Sequence, residues 1–97
     1  MDNFTKYFQM YDSFIRTKVK ESTAIRKTQN IRLFLNYLRD QGFYDLNEVE
    51  MSDVYTYINS LNFRSQTISL LEFELRMFFD FFYEKGMCGF DGHKLFP

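Results

Sequence analysis

Ninety-seven residues, 45% of them hydrophobic and 21% aromatic, suffice for one domain with a single aromatic-rich core. The lone cysteine, Cys88, excludes an internal disulfide framework and a cysteine zinc site, and no apolar run approaches the roughly 20 residues of a membrane span, so the chain reads as soluble and cytoplasmic. A formal net charge of −1 argues against indiscriminate coating of nucleic acid.

That total hides an uneven distribution. From Arg16 to Arg39 the chain carries seven bases (Arg16, Lys18, Lys20, Arg26, Lys27, Arg32, Arg39) against one acid, Glu21, a local balance of +6. The next stretch, Asp40 to Asp53, holds five acids and no base. A basic block of this kind is a surface suited to a phosphate backbone.

Few Gly and one Pro punctuate the sequence, and the apolar spacing is helical throughout. Phe4, Tyr7, Phe8, Tyr11, Phe14 and Ile15 share one face and predict a first helix over residues 3–18. Ser22 and Thr23 are N-cap candidates for a second helix over 23–41, with Ala24, Ile31, Phe34, Leu35 and Leu38 inward and Gly42 as a left-handed stop. Asp45-Leu46-Asn47 reads as a loop. Ser52 is the expected cap of a third helix over 53–61, with Val54, Tyr57, Ile58 and Leu61 inward and Asp53 favourable at its dipole.

Ser65 opens a fourth helix that runs through Ile68, Leu71, Leu75, Phe78, Phe79 and Phe82 to a stop at Gly86. A second stripe, Leu70, Phe73, Met77 and Phe81, widens its apolar arc, as expected of a central helix or of one that also meets a partner. Met87 to Pro97 reads as loop, giving a helical domain over 1–90 and the start of a linker over 91–97.

Catalytic chemistry is scarce. His93, the only histidine, lies in the Gly-containing tail, where a surface role is expected, and Cys88 reads as a small buried hydrophobe. The run Asp45, Glu48, Glu50 and Asp53 lacks the ligand order and central Gly of a calcium loop and reads as a solvated, helix-capping edge. Phosphate-loop, dinucleotide and HExxH motifs do not occur. No enzyme activity, metal or cofactor is expected.

The two long helices share a pattern, with Thr23 followed at offsets of eight and eleven by Ile31 and Phe34, and Thr67 by Leu75 and Phe78. Together with the stretches STAIRKTQNIRLFLNYLRDQG, LNEVEMSDVYTYINSL and RSQTISLLEFELRMFFDFFYEKG, this order of parts resembles the N-terminal core-binding, SAM-like domain of tyrosine recombinases, the phage integrase family, over about residues 8 to 97. The resemblance implies an all-α, four-helix orthogonal bundle that clamps duplex DNA at a recombination core site through its second and fourth helices. It also implies contacts with other recombinase protomers on DNA, and an Arg, Lys, His-x-x-Arg and Tyr catalytic set on a separate domain. One departure is Lys27, where relatives usually carry Tyr four residues after the helix-opening Thr; the swap enlarges the basic patch.

Thr23, Arg26, Lys27 and Asn30 fall within an arc of about 100° on the second helix, with Lys20 and Ser22 just before them. Arg64, Ser65, Gln66 and Thr67 surround the positive dipole end of the fourth. These ten residues are the candidate DNA contacts, Asn30 and Gln66 as base readers. The plainer alternative makes the hydroxyls caps and the bases a solvated face. Two further alternatives are a helical protein interaction module and a catalytically dead integrase remnant that occupies sites.

Overall fold

Helical periodicity without strand alternation yields an all-α chain: a computed structural model, describing residues 2–97, contains four α-helices and two short 3-10 turns among those residues. They divide between two compact units, Met1–Asp45 and Leu46–Pro97.

The first unit is a pair of packed helices, α1 (Phe4–Arg16) and α2 (Glu21–Asp40). α1 buries Phe4, Tyr7, Tyr11 and Ile15, and α2 answers with Ala24, Ile31, Phe34, Leu35 and Leu38. Each large side chain so buried contributes roughly 1.5 to 3 kcal/mol. Buried Thr28 satisfies its hydroxyl locally, donating to the Ala24 carbonyl at 2.8 Å. Phe8 and Phe14, expected inward, are half-buried and lie under cations instead, Arg32 at 4.3 Å and Lys18 at 5.4 Å from the ring centroids.

α1 covers its whole apolar pattern but stops at Arg16, two residues short of the expected end at 18. The Thr17 hydroxyl and backbone N–H donate to the Phe14 carbonyl, and the N–H groups of Lys18 and Val19 close on Ile15, which turns the chain out of the helix.

α2 begins two residues before the expected position, so Ser22 and Thr23 are not its caps. Lys20 holds the extended N-cap conformation (φ −68°, ψ 161°), the Ala24 N–H closes on its carbonyl at 3.0 Å, and Glu21 places an acid in the first turn where the dipole favours one. At the other end Gly42 takes a φ of +90°. Its N–H bonds to the Arg39 carbonyl and that of Phe43 to the Leu38 carbonyl, a Schellman closure as the glycine predicts.

The second unit holds a 3-10 turn at Leu46–Glu48, then α3 (Met51–Ser60), α4 (Ser65–Glu84) and a second 3-10 turn at Gly92–Lys94. Ser52 does not cap α3. Glu50 and Asp53 form a reciprocal capping box, with the Glu50 N–H donating to Asp53 Oδ2 at 2.8 Å, which satisfies two otherwise orphaned donors where a serine satisfies one. α3 buries Val54, Tyr57 and Ile58; Leu61, expected inward, is half-buried at the extended residue that ends the helix.

α4 buries Leu71, Leu75, Phe78, Phe79 and Phe82, with Phe78 edge-on to Phe79 at 5.2 Å and to Phe82 at 5.0 Å. Ile68 is half-buried. Glu74 lies on this face at 2% exposure. The second stripe is open at Leu70 and Phe73, 37% and 39% exposed, and half-buried at Met77 and Phe81. Gly86, at φ +70°, ends α4 by a second Schellman closure, Gly86 to Tyr83 and Met87 to Phe82.

Residues 87–97, read from the sequence as loop and linker, dock on α4. Cys88 and Leu95 are buried, and Gly92 lies so close to α4 that a Cβ there would run into the Arg76 carbonyl and the Asp80 amide. The Cys88 thiol contacts the Phe79 and Phe90 carbonyls, and burial pushes it above its ordinary pKa, which makes it a packing residue. Phe96 adopts a left-handed φ of 52°. Its N–H donates to the Tyr55 hydroxyl, its carbonyl accepts from Arg76 and its ring stands edge-on to Tyr55.

Candidate nucleic-acid interface

In the first unit the candidate contacts gather on the opening turns of α2. Lys20 is the N-cap residue and is exposed, as are Ser22 and Arg26; Thr23, Lys27 and Asn30 are half-buried. No side chain caps this N-terminus, so the first-turn N–H groups and the positive end of the dipole are left to other acceptors.

The basic block is narrower than its residue count. Arg16 donates through Nε to both carboxylate oxygens of Asp12, at 3.1 and 3.0 Å, and lies 3.8 Å from Glu21. Arg39 binds Asp2 at 2.8 Å, Asn36 and Thr5. Desolvation raises the Asp2 carboxyl, but the Arg39 hydrogen bond, the Phe4 N–H and nearby positive charge outweigh it and hold the pKa below the usual range. Both ends of the block are therefore neutralised locally, and its central bases, Lys20, Arg26 and Lys27, adjoin the helix opening.

In the second unit Arg64 is the N-cap residue of α4 and Ser65, Gln66 and Thr67 fill its first turn, all four exposed. Again no side chain caps the helix. The hydroxyls of Ser22, Thr23, Ser65 and Thr67 are therefore not explained as caps. Both openings have the form of anion sites, with unpaired N–H groups, hydroxyls and a flanking cation. Of the ten candidates, five lie on α2 with Lys20 as its N-cap, and three lie on α4 with Arg64 as its N-cap.

His93 and Cys88 form no catalytic pair: the thiol contacts backbone carbonyls, while His93, with 72% of its side chain exposed, lies against Asp80 and Asp91. Sequence reasoning missed that second grouping, because Asp80 sits on α4 and its partners belong to a tail read as linker. Among the described residues no helix is long and apolar enough to cross a membrane.

No protein-family model matches the chain, and neither a curated protein nor a solved structure does.

Proposed function

We propose that this chain binds duplex DNA as a helical, SAM-like core-binding domain of the tyrosine recombinase kind, holding phosphates at the openings of α2 and α4 and binding without cutting. The observation that carries the reading is the pair of uncapped helix N-termini, each led by a cation, Lys20 or Arg64, and each with a Ser and a Thr in its first turn. An N-terminus stripped of its own cap favours an external anion, and Arg26 and Lys27 one turn further along α2 add positive charge. Asn30 and Gln66 carry amides able to read adenine.

Fluorescence anisotropy of a labelled duplex tests this. Affinity should fall steeply between low and moderate salt, since neutralised phosphates release counterions. Replacing Lys20, Arg26 and Lys27 together by Ala should weaken binding at least tenfold with helical circular dichroism unchanged. Binding indifferent to salt, or to the triple substitution, overturns the assignment.

A second reading rests on the open stripe of α4, where Leu70 and Phe73 present apolar surface. It makes the domain an interaction module, including contact with other protomers on DNA. Sedimentation with and without duplex separates the two: self-association that appears without DNA and is lost in Phe73→Ser favours the stripe.

A further inference from the structure

Asp80 on α4, Asp91 just before the second 3-10 turn and His93 within it bring one donor atom each into a cluster, all within 4.8 Å of one another. His93 Nδ1 lies 2.8 Å from Asp80 Oδ1 and 3.3 Å from Asp91 Oδ1. A first-row divalent ion sits about 2.0 to 2.2 Å from imidazole nitrogen and carboxylate oxygen, so donors sharing one stand about 3 to 4 Å apart. The two separations at His93, 2.8 and 3.3 Å, are close to that spacing.

Two further features separate the cluster from an ordinary surface ion pair. Asp80 Oδ1 is closed to solvent and accepts no well-formed hydrogen bond, although the His93 imidazole nitrogen stands beside it at ion-pair distance. A buried carboxylate oxygen left in this state costs free energy that a cation would recover. The donors are also held before any ligand arrives. Gly92 is pinned against the α4 backbone, and Asp91 Oδ1 accepts the His93 backbone N–H at 3.0 Å, which fixes the carboxylate beside the imidazole. Arg76, one turn before Asp80, is turned to the Phe96 carbonyl.

We propose that Asp80, Asp91 and His93 form a binding site for a divalent first-row transition ion, zinc foremost. One imidazole and two carboxylates suit zinc, whose remaining coordination is completed by water, whereas magnesium favours an all-oxygen octahedral shell. Because Asp80 belongs to α4 and the other two ligands to the tail, the bound ion clips residues 91–95 onto the helix. The site is independent of DNA binding, and neither result decides the other.

Zinc chloride titrated into the full chain at neutral pH, followed by calorimetry, should show one saturable equivalent and a raised thermal midpoint. Asp80→Asn and the exposed His93→Gln should each weaken zinc at least tenfold, while Cys88→Ser should bind as the unsubstituted chain does. Amide shifts on zinc addition should centre on residues 80 and 91–94. Should Asp80→Asn misfold, His93→Gln decides alone. No saturation at submillimolar zinc, undiminished binding by His93→Gln, or magnesium binding as tightly as zinc would reduce the cluster to a solvated acidic edge and overturn the proposal.

Discussion

The Tyr7 hydroxyl donates a hydrogen bond to Asp45 Oδ1, joining the buried face of α1 to the last residue of the first unit. The other carboxylate oxygen accepts from Asn3 Nδ2 at 2.7 Å, and the Asn3 N–H reaches the Tyr44 carbonyl at 2.9 Å. The chain after Gly42 is thus fastened to the start of α1 by three bonds. Tyr7→Phe keeps the ring in place and removes only the charge-assisted bond, so it should cost about 1.5 to 3 kcal/mol, read as a lowered denaturation midpoint with an unchanged m-value. A loss under 0.5 kcal/mol would mean that Asp45 finds water as good a partner.

The same pair sets a response to alkali. Burial of the Tyr7 phenol, with the Asp45 hydrogen bond and negative charge added, pushes its pKa from an ordinary 10 up to about 12. The folded state therefore holds its proton more tightly than the unfolded one. The resulting stability is whole below pH 10 and is lost as pH rises from 10 towards 12, at a limiting slope of about 1.4 kcal/mol per unit. Urea unfolding across this window should show the decline, and Tyr7→Phe should flatten it by the contribution of one group.

Gly92→Ala tests how the tail is held. No positive φ is required at this residue; what it lacks is room, since the new methyl would meet the backbone of Arg76 and Asp80, which cannot move without breaking α4. The tail should lift instead. Leu95 would leave its buried site, and the contacts of Phe96 with Tyr55 and Arg76 would go with it. Proteolysis should then cut within residues 87–97 at rates well above those of the unsubstituted chain, with the helical signal of α4 retained. Equal resistance of the two chains would show that the backbone yields there.

Helix ends were legible in the sequence where a single conformation demanded one residue type. Gly42 and Gly86 announce left-handed stops because few other residues take that φ without strain, and both close as Schellman motifs. Helix starts were less legible, because the Ser and Thr preference at N-caps is worth about 1 kcal/mol and competing contributions of that size exist nearby. Glu21 at the α2 dipole and the Glu50–Asp53 box displaced Ser22, Thr23 and Ser52.

Period and residue type also conflicted. Glu74 stands at an inward position by helical spacing, three after Leu71 and four before Phe78, yet its charge reads as outward. For the candidate site the count of bases was legible, but their engagement was not: Asp2 and Arg39 are 37 residues apart and meet only through the packing of α1 on α2. The tail escaped detection for a related reason, since its anchors, Gly92 and Leu95, are ordinary loop residues until α4 is placed beneath them.

The first-turn hydroxyls separate capping from recognition. A Ser or Thr that caps a helix costs about 0.5 to 2 kcal/mol when replaced by Ala. Ser22, Thr23, Ser65 and Thr67 lie inside their helices, where Ala has the higher intrinsic propensity. The paired substitutions Ser22→Ala with Thr23→Ala, and Ser65→Ala with Thr67→Ala, should therefore leave stability within about 0.5 kcal/mol or raise it slightly. If the hydroxyls meet phosphate oxygens, each pair should weaken duplex binding several-fold in the anisotropy assay while the melting curve is unmoved. Loss of stability with affinity intact would return these residues to a structural role and leave the cations alone to account for any DNA binding.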